Sequence, residues 1–258
     1  MKSTIERIME KLNEIESQEK VTILHAVEIG SRAWGFASPD SDYDVRFIYV
    51  RDMEFYLKLE KTRDVIEWYL DEILDINGWD LQKTLRLLHK SNPTLFEWSI
   101  SPIIYKTTPV WERIAAMFGD YFLTKHGAYH YLSMAEGNYR EYLKRDIVRV
   151  KKYLYVIRPI LACKWILNKK SPPPVLFSEL VTAELEPGLF KTIEWLLDIK
   201  TRMPEANEMP KVKELNDYIE DALRDLKAQA EAVPSNRAKG YDELNCLFLD
   251  VLRETAHV

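Results

Sequence analysis

The spacing of apolar residues divides the chain into an early part that contains strands and a later part that is almost entirely helical. At the start, Ile5, Ile8, Leu12 and Ile15 recur at intervals of three and four residues. This spacing predicts an amphipathic helix that ends near Ser17.

Two runs rich in β-branched and aromatic residues follow that helix. Residues 21–29 form an apolar run, and residues 43–50 form a second one after a turn over residues 38–41. Both runs predict strands. A third strand is predicted over residues 64–76, and a helix over residues 81–89 with Asp80 as its N-cap.

From about residue 107 the pattern is helical. The longest helix is predicted from Asn138 to Leu167, where apolar residues form one continuous stripe, with a kink at Pro159. Further helices are predicted over residues 215–230 and 241–253, and loops over residues 171–174 and 202–210. The predicted fold class is therefore α+β, with a small mixed β-sheet domain and flanking helices over residues 1–106, followed by an α-helical domain over residues 107–258.

The composition excludes several classes of protein. Of 258 residues, 47% are apolar and 30% are charged, which is typical of a globular protein and excludes an intrinsically disordered chain. The formal net charge of −5 disfavours a protein that coats nucleic-acid duplexes. Two cysteines cannot build a disulfide framework, and no segment has the composition of a signal peptide or a membrane span. A cytoplasmic location is therefore expected.

Residues 30–44 combine residue types suited to phosphate and metal chemistry. Gly30 ends the first predicted strand, where a residue without a side chain lets the backbone approach a ligand closely. Ser31 then offers a hydroxyl and an N–H group at the start of a helical turn, which favours phosphate. Asp42 and Asp44 lie two residues apart on the second predicted strand, so their side chains are expected on one face, where they could share a pair of divalent cations.

Each half of this pattern is common by itself. A Gly-Ser turn alone indicates no function, and Asp-x-Asp alone is usually a solvated strand face. Together, with a strand on each side, they are much more specific. The chain has no Gly-x4-Gly-Lys-Ser/Thr sequence and no Gly-x-Ser-x-Gly sequence, which excludes a P-loop NTPase and a hydrolase with a nucleophile elbow.

Gly-Ser followed about ten residues later by Asp-x-Asp resembles the signature of the DNA polymerase β-like nucleotidyltransferase superfamily. The longer strings at residues 30–36 (GSRAWGF) and 41–46 (SDYDVR) are similar to one branch of it, the predicted bacterial and phage nucleotidyltransferases, some of which are associated with RNA ligases. Residues 75–80, 91–98 and 151–159 also resemble that branch, so the resemblance covers most of the chain.

The resemblance implies a five-stranded mixed sheet that carries the active site, followed by a helical domain that binds the substrate. It also implies transfer of a nucleoside monophosphate from a nucleoside triphosphate such as ATP to an acceptor hydroxyl, with release of pyrophosphate. Two Mg²⁺ ions, or Mn²⁺ in their place, would activate the acceptor and neutralise the leaving group. Asp42 and Asp44 are then metal ligands, while Gly30 and Ser31 hold the β- and γ-phosphates.

Members of the superfamily usually bring a third carboxylate from a neighbouring strand. Asp75, between Leu74 and Ile76, has the expected form, and we predict it to be the third catalytic and metal-binding carboxylate. The alternative is that Asp75 merely starts a turn at Asn77-Gly78.

Four further residues are predicted to bind the nucleotide. Arg32 lies beside the motif and could pair with the triphosphate through its guanidinium group, with a structural ion pair as the alternative. On the long predicted helix, Tyr155 and Arg158 lie on one side together with Lys151, at spacings of four and three residues, and Lys152 is adjacent; a solvated charged face is the alternative.

Two functions stay open at this point. The first is a nucleotidyltransferase whose acceptor is an RNA end, a small molecule or a protein side chain, with the RNA end favoured by the association with RNA ligases. The second is a non-catalytic nucleotide-binding or antitoxin-like regulatory module of the same fold. A mispositioned third carboxylate would favour the second function, and so would a cleft filled by Arg46.

By alternation, Arg46 is expected to share a strand face with Asp42 and Asp44 and to neutralise them. The sequence determines neither the preferred nucleotide nor the oligomeric state.

Overall fold

A computed structural model describes residues 3–69, 73–203, 207–235 and 239–255. The chain forms two compact units, each built from more than one segment. The first contains residues 1–30, 42–121 and 238–258, and the second contains residues 31–41 and 122–237. The division into a mixed-sheet domain over residues 1–106 and a helical domain over residues 107–258 stays a prediction.

The first unit contains a five-stranded sheet surrounded by helices. Its elements in chain order are α1 (Thr4–Glu19), β1 (Thr22–Ile29), β2 (Tyr43–Val50), α3 (Met53–Tyr56), β3 (Val65–Tyr69), β4 (Leu74–Asp80), α4 (Leu81–His89), α5 (Pro93–Ser99), β5 (Ile104–Thr107), α6 (Pro109–Ala115), α7 (Phe118–Tyr121) and α13 (Asp242–Thr255). The short helix α2 (Gly30–Ala33) begins at the last residue of the unit's first segment. The predicted helix over residues 81–89 is confirmed, and Asp80 caps it by accepting a 2.7 Å hydrogen bond from the N–H of Gln82.

The strand order of the described sheet is β3-β4-β2-β1-β5. The β2–β4 pair is parallel and the other pairs are antiparallel. The sheet is therefore mixed, and the α+β fold class with a helical C-terminal part is confirmed.

The predicted third strand over residues 64–76 is wrong, because the segment contains two strands. β3 and β4 pair antiparallel, and residues 70–72 between them, including Asp71, lie outside the described residues. β4 continues through Asn77 and Gly78, so these residues form no turn. A Cβ at Gly78 would lie 2.2 Å from the ring of Phe47 on β2, so the glycine lets that aromatic ring pack across the neighbouring strand.

Helices cover both faces of this sheet. On one face, Ile8, Leu12 and Ile15 of α1 form an apolar cluster with residues that include Val45 and Phe47 of β2. On the other face, Trp79 of β4 stacks on Trp98 of α5, and His25 of β1 stacks on Trp111 of α6. The sheet is thus a layer that packs against helices on both of its faces.

The C-terminal helix belongs to the first unit, although the sequence placed it in the helical domain. Arg113 makes two hydrogen bonds to the carboxylate of Glu254, and Phe248 packs edge-on against Tyr56. Just before the helix, Tyr241 stacks on His89 with 3.7 Å between ring centroids. Such long-range contacts carry no local signal in the sequence.

The second unit is mainly helical. Its elements are α8 (Thr124–Tyr142), β6 (Ile147–Arg149), α9 (Val150–Lys169), α10 (Phe177–Glu184), a 3₁₀ turn (Pro187–Leu189), α11 (Phe190–Arg202), β7 (Glu208–Pro210) and α12 (Lys213–Ala232). α9 is its central element, because most of its side chains are buried among those of its neighbours.

The predicted helix from Asn138 to Leu167 is wrong in its middle. α8 ends at Tyr142 and α9 begins at Val150, because residues 147–149 pair as strand β6 with β7. That partner strand lies about 60 residues away in the chain, so local periodicity could not reveal it. The segment 202–210, predicted as a loop, supplies β7.

Helix α9 continues through Pro159. Proline has no N–H group, so the carbonyl of Tyr155, four residues earlier, lacks its usual helical donor. The side chain of Asn138 on α8 donates a 3.0 Å hydrogen bond to this carbonyl. The neighbouring helix therefore compensates for the proline, and the predicted kink stays a prediction.

No helix among the described residues is long and apolar enough to cross a membrane.

We expect the stability of the first unit to fall in acid because of His25. This side chain is 3% exposed, and burial lowers its pKa from 6.5 to about 4. The unfolded chain therefore takes up a proton below pH 6.5 that the folded chain refuses until about pH 4, so stability is lost across this window as the pH falls. Between pH 7 and pH 4.5 the loss should be about 2 kcal/mol.

Urea unfolding at both pH values measures this loss. His25→Phe keeps an aromatic ring against Trp111 but cannot take up a proton, so its loss over the same window should be about 2 kcal/mol smaller than that of the wild type. Equal losses in the two proteins would contradict the assignment to His25.

Candidate active site

Two of the predicted carboxylates lie side by side at one end of the sheet. Asp44 is the second residue of β2, and Asp75 is the second residue of β4. The parallel register pairs these two residues directly, so their side chains lie on the same face. Their side chains are 34% and 35% exposed, so solvent reaches both carboxylates. Since β4 runs on beyond Gly78, the alternative role of Asp75 as the start of a turn is wrong.

The guanidinium group of Arg46 contacts both carboxylates. Its Nη2 lies 2.8 Å from Asp75 Oδ2 and 3.4 Å from Asp44 Oδ1, and its Nη1 donates to the Asp75 carbonyl at 3.2 Å. Arg46 lies two residues after Asp44, so alternation does place it on that face of the strand. The positive charge offsets the repulsion between two neighbouring carboxylates.

Asp42 is placed differently from its predicted position. It is exposed and lies one residue before β2 begins, so strand alternation does not fix the direction of its side chain. The argument that Asp42 and Asp44 share a face because both lie on a strand is therefore wrong, and the metal-binding role of Asp42 stays a prediction.

Gly30 packs against the carboxylate of Asp44. Its φ is +68°, in the left-handed region that side chains disfavour, and a Cβ built on it would lie only 2.4 Å from Asp44 Oδ2. The glycine is required twice here, once for the turn out of β1 and once for the space that the carboxylate occupies.

The residues of this strand end suit a magnesium ion by their chemistry. Carboxylate oxygens are the ligands that Mg²⁺ prefers, and the Asp44–Asp75 pair already holds a cationic group, the guanidinium of Arg46. Among the described residues, no group of three or more His, Cys, Asp and Glu side chains is arranged to hold a metal ion. The three-carboxylate metal site therefore stays a prediction.

In the second unit, the turn over residues 38–41 is held by two cationic side chains. Arg32 Nη2 donates to the carbonyl of Ser41 at 2.6 Å, so it has a structural contact here, and its role toward the triphosphate stays a prediction. Lys200 of α11, which is only 2% exposed, donates to Ser38 Oγ at 2.7 Å and lies 3.3 Å from Ser41 Oγ. Ser31 is also buried, in α2, and its carbonyl accepts from the N–H of Phe36.

The predicted nucleotide-binding residues of α9 form an aromatic and cationic cluster with Trp34. The guanidinium of Arg158 lies 4.3 Å from the ring centroid of Trp34, and Tyr155 meets the same ring edge-on at 5.4 Å. Lys152 Nζ lies 3.5 Å from the ring centroid of Tyr142. Arg158 is 2% exposed, so a solvated charged face does not describe it. Nucleotide binding by these three residues stays a prediction.

Sequence reasoning missed two buried charged residues near the motif. Lys200 gave no signal, because it lies about 160 residues from the serines that it contacts. Glu28 lies inside an apolar run, and a carboxylate next to the last residue of a buried strand was the available signal. Its Oε1 accepts a 2.7 Å hydrogen bond from the main-chain N–H of Asp44.

Comparison with known proteins extends the similarity over nearly the whole chain. The sequence model of the RNA repair pathway DNA polymerase beta family matches residues 4–250. The chain belongs to this family. The match covers both compact units, so membership of the RNA repair pathway DNA polymerase beta family rests on the helical part as well as on the motif. The predicted resemblance to a polymerase β-like nucleotidyltransferase branch is confirmed.

Two individual proteins are similar to this member of the family. The uncharacterized protein YcgL of Bacillus subtilis (strain 168) is 42% identical over 254 residues, which cover 96% of each chain. A nucleotidyltransferase-like protein from Exiguobacterium sibiricum 255-15, of known structure, is 16% identical. That likeness covers 96% of this chain and 80% of the other, with a TM-score of 0.31, and it adds nothing to the assignment.

We expect Gly30→Ala to destabilise the protein more than Gly35→Ala. Both glycines have positive φ, +68° and +85°, so both substitutions carry a backbone cost of about 1–2 kcal/mol. A Cβ at Gly35 would meet its nearest neighbour, Leu176, at 3.4 Å, whereas one at Gly30 would clash with the Asp44 carboxylate. The extra cost for Gly30→Ala should be about 1 kcal/mol or more.

Urea unfolding of the two variants measures the difference. Combining Gly30→Ala with Asp44→Ala should remove the extra cost, because the clashing carboxylate is then absent. Equal destabilisation by both glycine substitutions would show that the close approach to Asp44 is not important for stability.

Proposed function

We propose that this protein is a magnesium-dependent nucleotidyltransferase that transfers a nucleoside monophosphate from a nucleoside triphosphate to an acceptor hydroxyl. The observation that carries the proposal is the direct pairing of Asp44 with Asp75 on two parallel strands, at a strand end that solvent reaches. Membership of a polymerase beta family supports the same reaction.

In this proposal each residue of the strand end has a separate task. Asp44 and Asp75 would hold the cation through their carboxylates, and Asp42, one residue before β2, would supply a further oxygen ligand. Gly30 keeps the backbone close to Asp44, and the Gly30-Ser31 turn would face the β- and γ-phosphates through main-chain N–H groups. A bound Mg²⁺ ion would supply charge neutralisation for the triphosphate and would lower the pKa of the acceptor hydroxyl.

Arg46 has a task in the absence of the nucleotide. Its guanidinium group contacts both Asp44 and Asp75 and offsets the repulsion between them, so the two side chains can lie close together before the metal–nucleotide complex arrives. Binding of the cation would then require the guanidinium group to move away from the carboxylate oxygens.

We propose an RNA end as the acceptor. The support is the description of the family as part of an RNA repair pathway, together with the need of the reaction for a free hydroxyl. For Lys152, Tyr155, Arg158 and Arg32 we propose contacts with the nucleotide or the acceptor.

The contacts of Arg46 also favour a second function. A guanidinium group that pairs permanently with Asp44 and Asp75 would take the place of the metal, and the protein would be a nucleotide-binding or antitoxin-like regulatory module without turnover. Transfer activity of the wild-type protein separates the two functions.

We expect Asp44→Asn and Asp75→Asn to reduce nucleotidyl transfer by a factor of about 100 or more, because each removes a charge that the cation needs. Asparagine has the same size as aspartate, so the folded structure should survive. The assay follows label from each α-³²P-labelled nucleoside triphosphate, with Mg²⁺ or Mn²⁺, into a mixed RNA pool or a cell extract.

Asp52→Asn is the matched control. Asp52 is an exposed aspartate beyond the opposite end of β2, its side chain makes no capping hydrogen bond, and its variant should transfer at the normal rate. Normal transfer by Asp44→Asn would refute the proposed mechanism. If the wild type binds a nucleotide but transfers nothing to any acceptor, the regulatory module is the better description.

A further inference from the structure

A buried carboxylate lies behind Asp44, and the proposed reaction does not use it. Glu28 on β1 is 0% exposed, and its Oε1 accepts the main-chain N–H of Asp44 at 2.7 Å. Burying a carboxylate is unfavourable unless hydrogen bonds or opposite charges compensate for the lost water. At Glu28 this compensation comes from the hydrogen bonds that its carboxylate accepts from the Asp44 N–H and the Tyr105 hydroxyl.

The register of the sheet separates Glu28 from the face that carries the carboxylate pair. β1 pairs with β2 so that Glu28 lies opposite Val45 and Ile29 lies opposite Asp44. Because side chains alternate, Glu28 belongs to the face that α1 covers, whereas Asp44 and Asp75 belong to the other face. Glu28 reaches Asp44 at its main-chain N–H group.

The β1–β2 pairing ends at Ile29 and Asp44. At this end, the N–H of Asp44 donates a hydrogen bond to the side chain of Glu28. A hydrogen bond to a carboxylate is shorter and stronger than one to a neutral acceptor. Glu28 therefore fixes the main chain of β2 at the residue whose side chain must lie beside Asp75.

Residues 101–105 hold Glu28 in turn. The hydroxyl of Tyr105 donates to Glu28 Oε2 at 2.5 Å. Ser101 Oγ donates to the Glu28 carbonyl at 2.6 Å, and the Glu28 N–H donates to the Ile103 carbonyl at 3.0 Å. The carboxylate and both main-chain polar groups of Glu28 are thus fixed by one short segment.

We propose that Glu28, oriented by Tyr105, is a positioning residue that fixes Asp44 beside Asp75. The inference rests on the proposed function for its catalytic consequence, but the positioning itself is a property of the protein without metal or nucleotide. The hydrogen bond from Asp44 N–H requires an oxygen acceptor at position 28, and the charge of the carboxylate adds to its strength.

Two substitutions of Glu28 by residues of similar size show whether it acts as a hydrogen-bond acceptor or only fills space. Glu28→Gln keeps an oxygen that accepts from the N–H of Asp44, and its amide NH₂ can donate to the hydroxyl oxygen of Tyr105. Glu28→Met fills the same space without a hydrogen-bond acceptor. In the transfer assay, Glu28→Met should lower kcat about tenfold or more with little change in KM for the nucleotide, and Glu28→Gln should stay within about threefold of the wild type. Equal losses in the two variants would overturn the proposal.

Amide hydrogen exchange of Asp44 gives a readout that is independent of activity. In metal-free protein labelled with ¹⁵N-aspartate, the Asp44 amide should exchange about tenfold faster in Glu28→Met and about as slowly as in the wild type in Glu28→Gln. Unchanged exchange in Glu28→Met would overturn the proposal. If the wild type shows no transfer, the proposed function fails while the exchange measurement still decides the role of Glu28.

Tyr105→Phe repeats the test with a smaller change, in case Glu28→Met does not fold. Removal of the hydroxyl should speed Asp44 exchange about threefold or more, because the Glu28 carboxylate loses its orienting donor. Tyr49→Phe is the matched control, since it removes a buried hydroxyl from β2 at a distance from Glu28 in the register, and it should leave Asp44 exchange unchanged.

Discussion

The main electrostatic constraint in the first unit is the position of two carboxylates side by side at one end of the sheet. Asp44 and Asp75 are direct neighbours across parallel strands, and two ionised carboxylates in such a position repel each other unless a cation lies between them. In this structure the cation is the guanidinium group of Arg46, which lies on the same strand as Asp44. The strand geometry thus supplies both the charges and the group that balances them, and any metal must compete with that group.

The surroundings of the pair fix the main chain of Asp44 as well as the two side chains. Gly30, at the turn after β1, adopts a left-handed backbone conformation, and its missing side chain leaves room for the Asp44 carboxylate. Glu28 holds the Asp44 N–H from the opposite face, and Gly78 lets Phe47 lie across β4, so that β2 and β4 can pair closely. Strands with such supports hold the two carboxylates in place without a ligand, and the proposed transfer reaction would use that fixed geometry.

In the second unit, side chains distant in the sequence also support the main chain, here inside a helix. Pro159 removes a donor inside α9, and Asn138 of α8 supplies one to the carbonyl left without it. Lys200 is buried on two serine hydroxyls of the turn that precedes Asp42 in the sequence. The family match over residues 4–250 spans the segments that make these contacts as well as the sheet.

The sequence by itself determined the elements with strong local periodicity and the position of the motif. The helix over residues 81–89, the strand over residues 43–50 and the family all followed from local patterns and short motifs, because these depend on residues close together in the chain. Only the tertiary structure decided that residues 64–76 contain two strands, that residues 147–149 pair with a distant strand, and that the last helix belongs to the first unit. It also decided that Asp75 lies directly beside Asp44, that Asp42 precedes the strand, and that Glu28 holds the main chain of Asp44. The pairing of residues 147–149, the place of the last helix and the contacts of Asp44 with Asp75 and Glu28 depend on segments that are not neighbours in the chain, and a one-dimensional pattern of apolar and polar residues contains no information on such contacts.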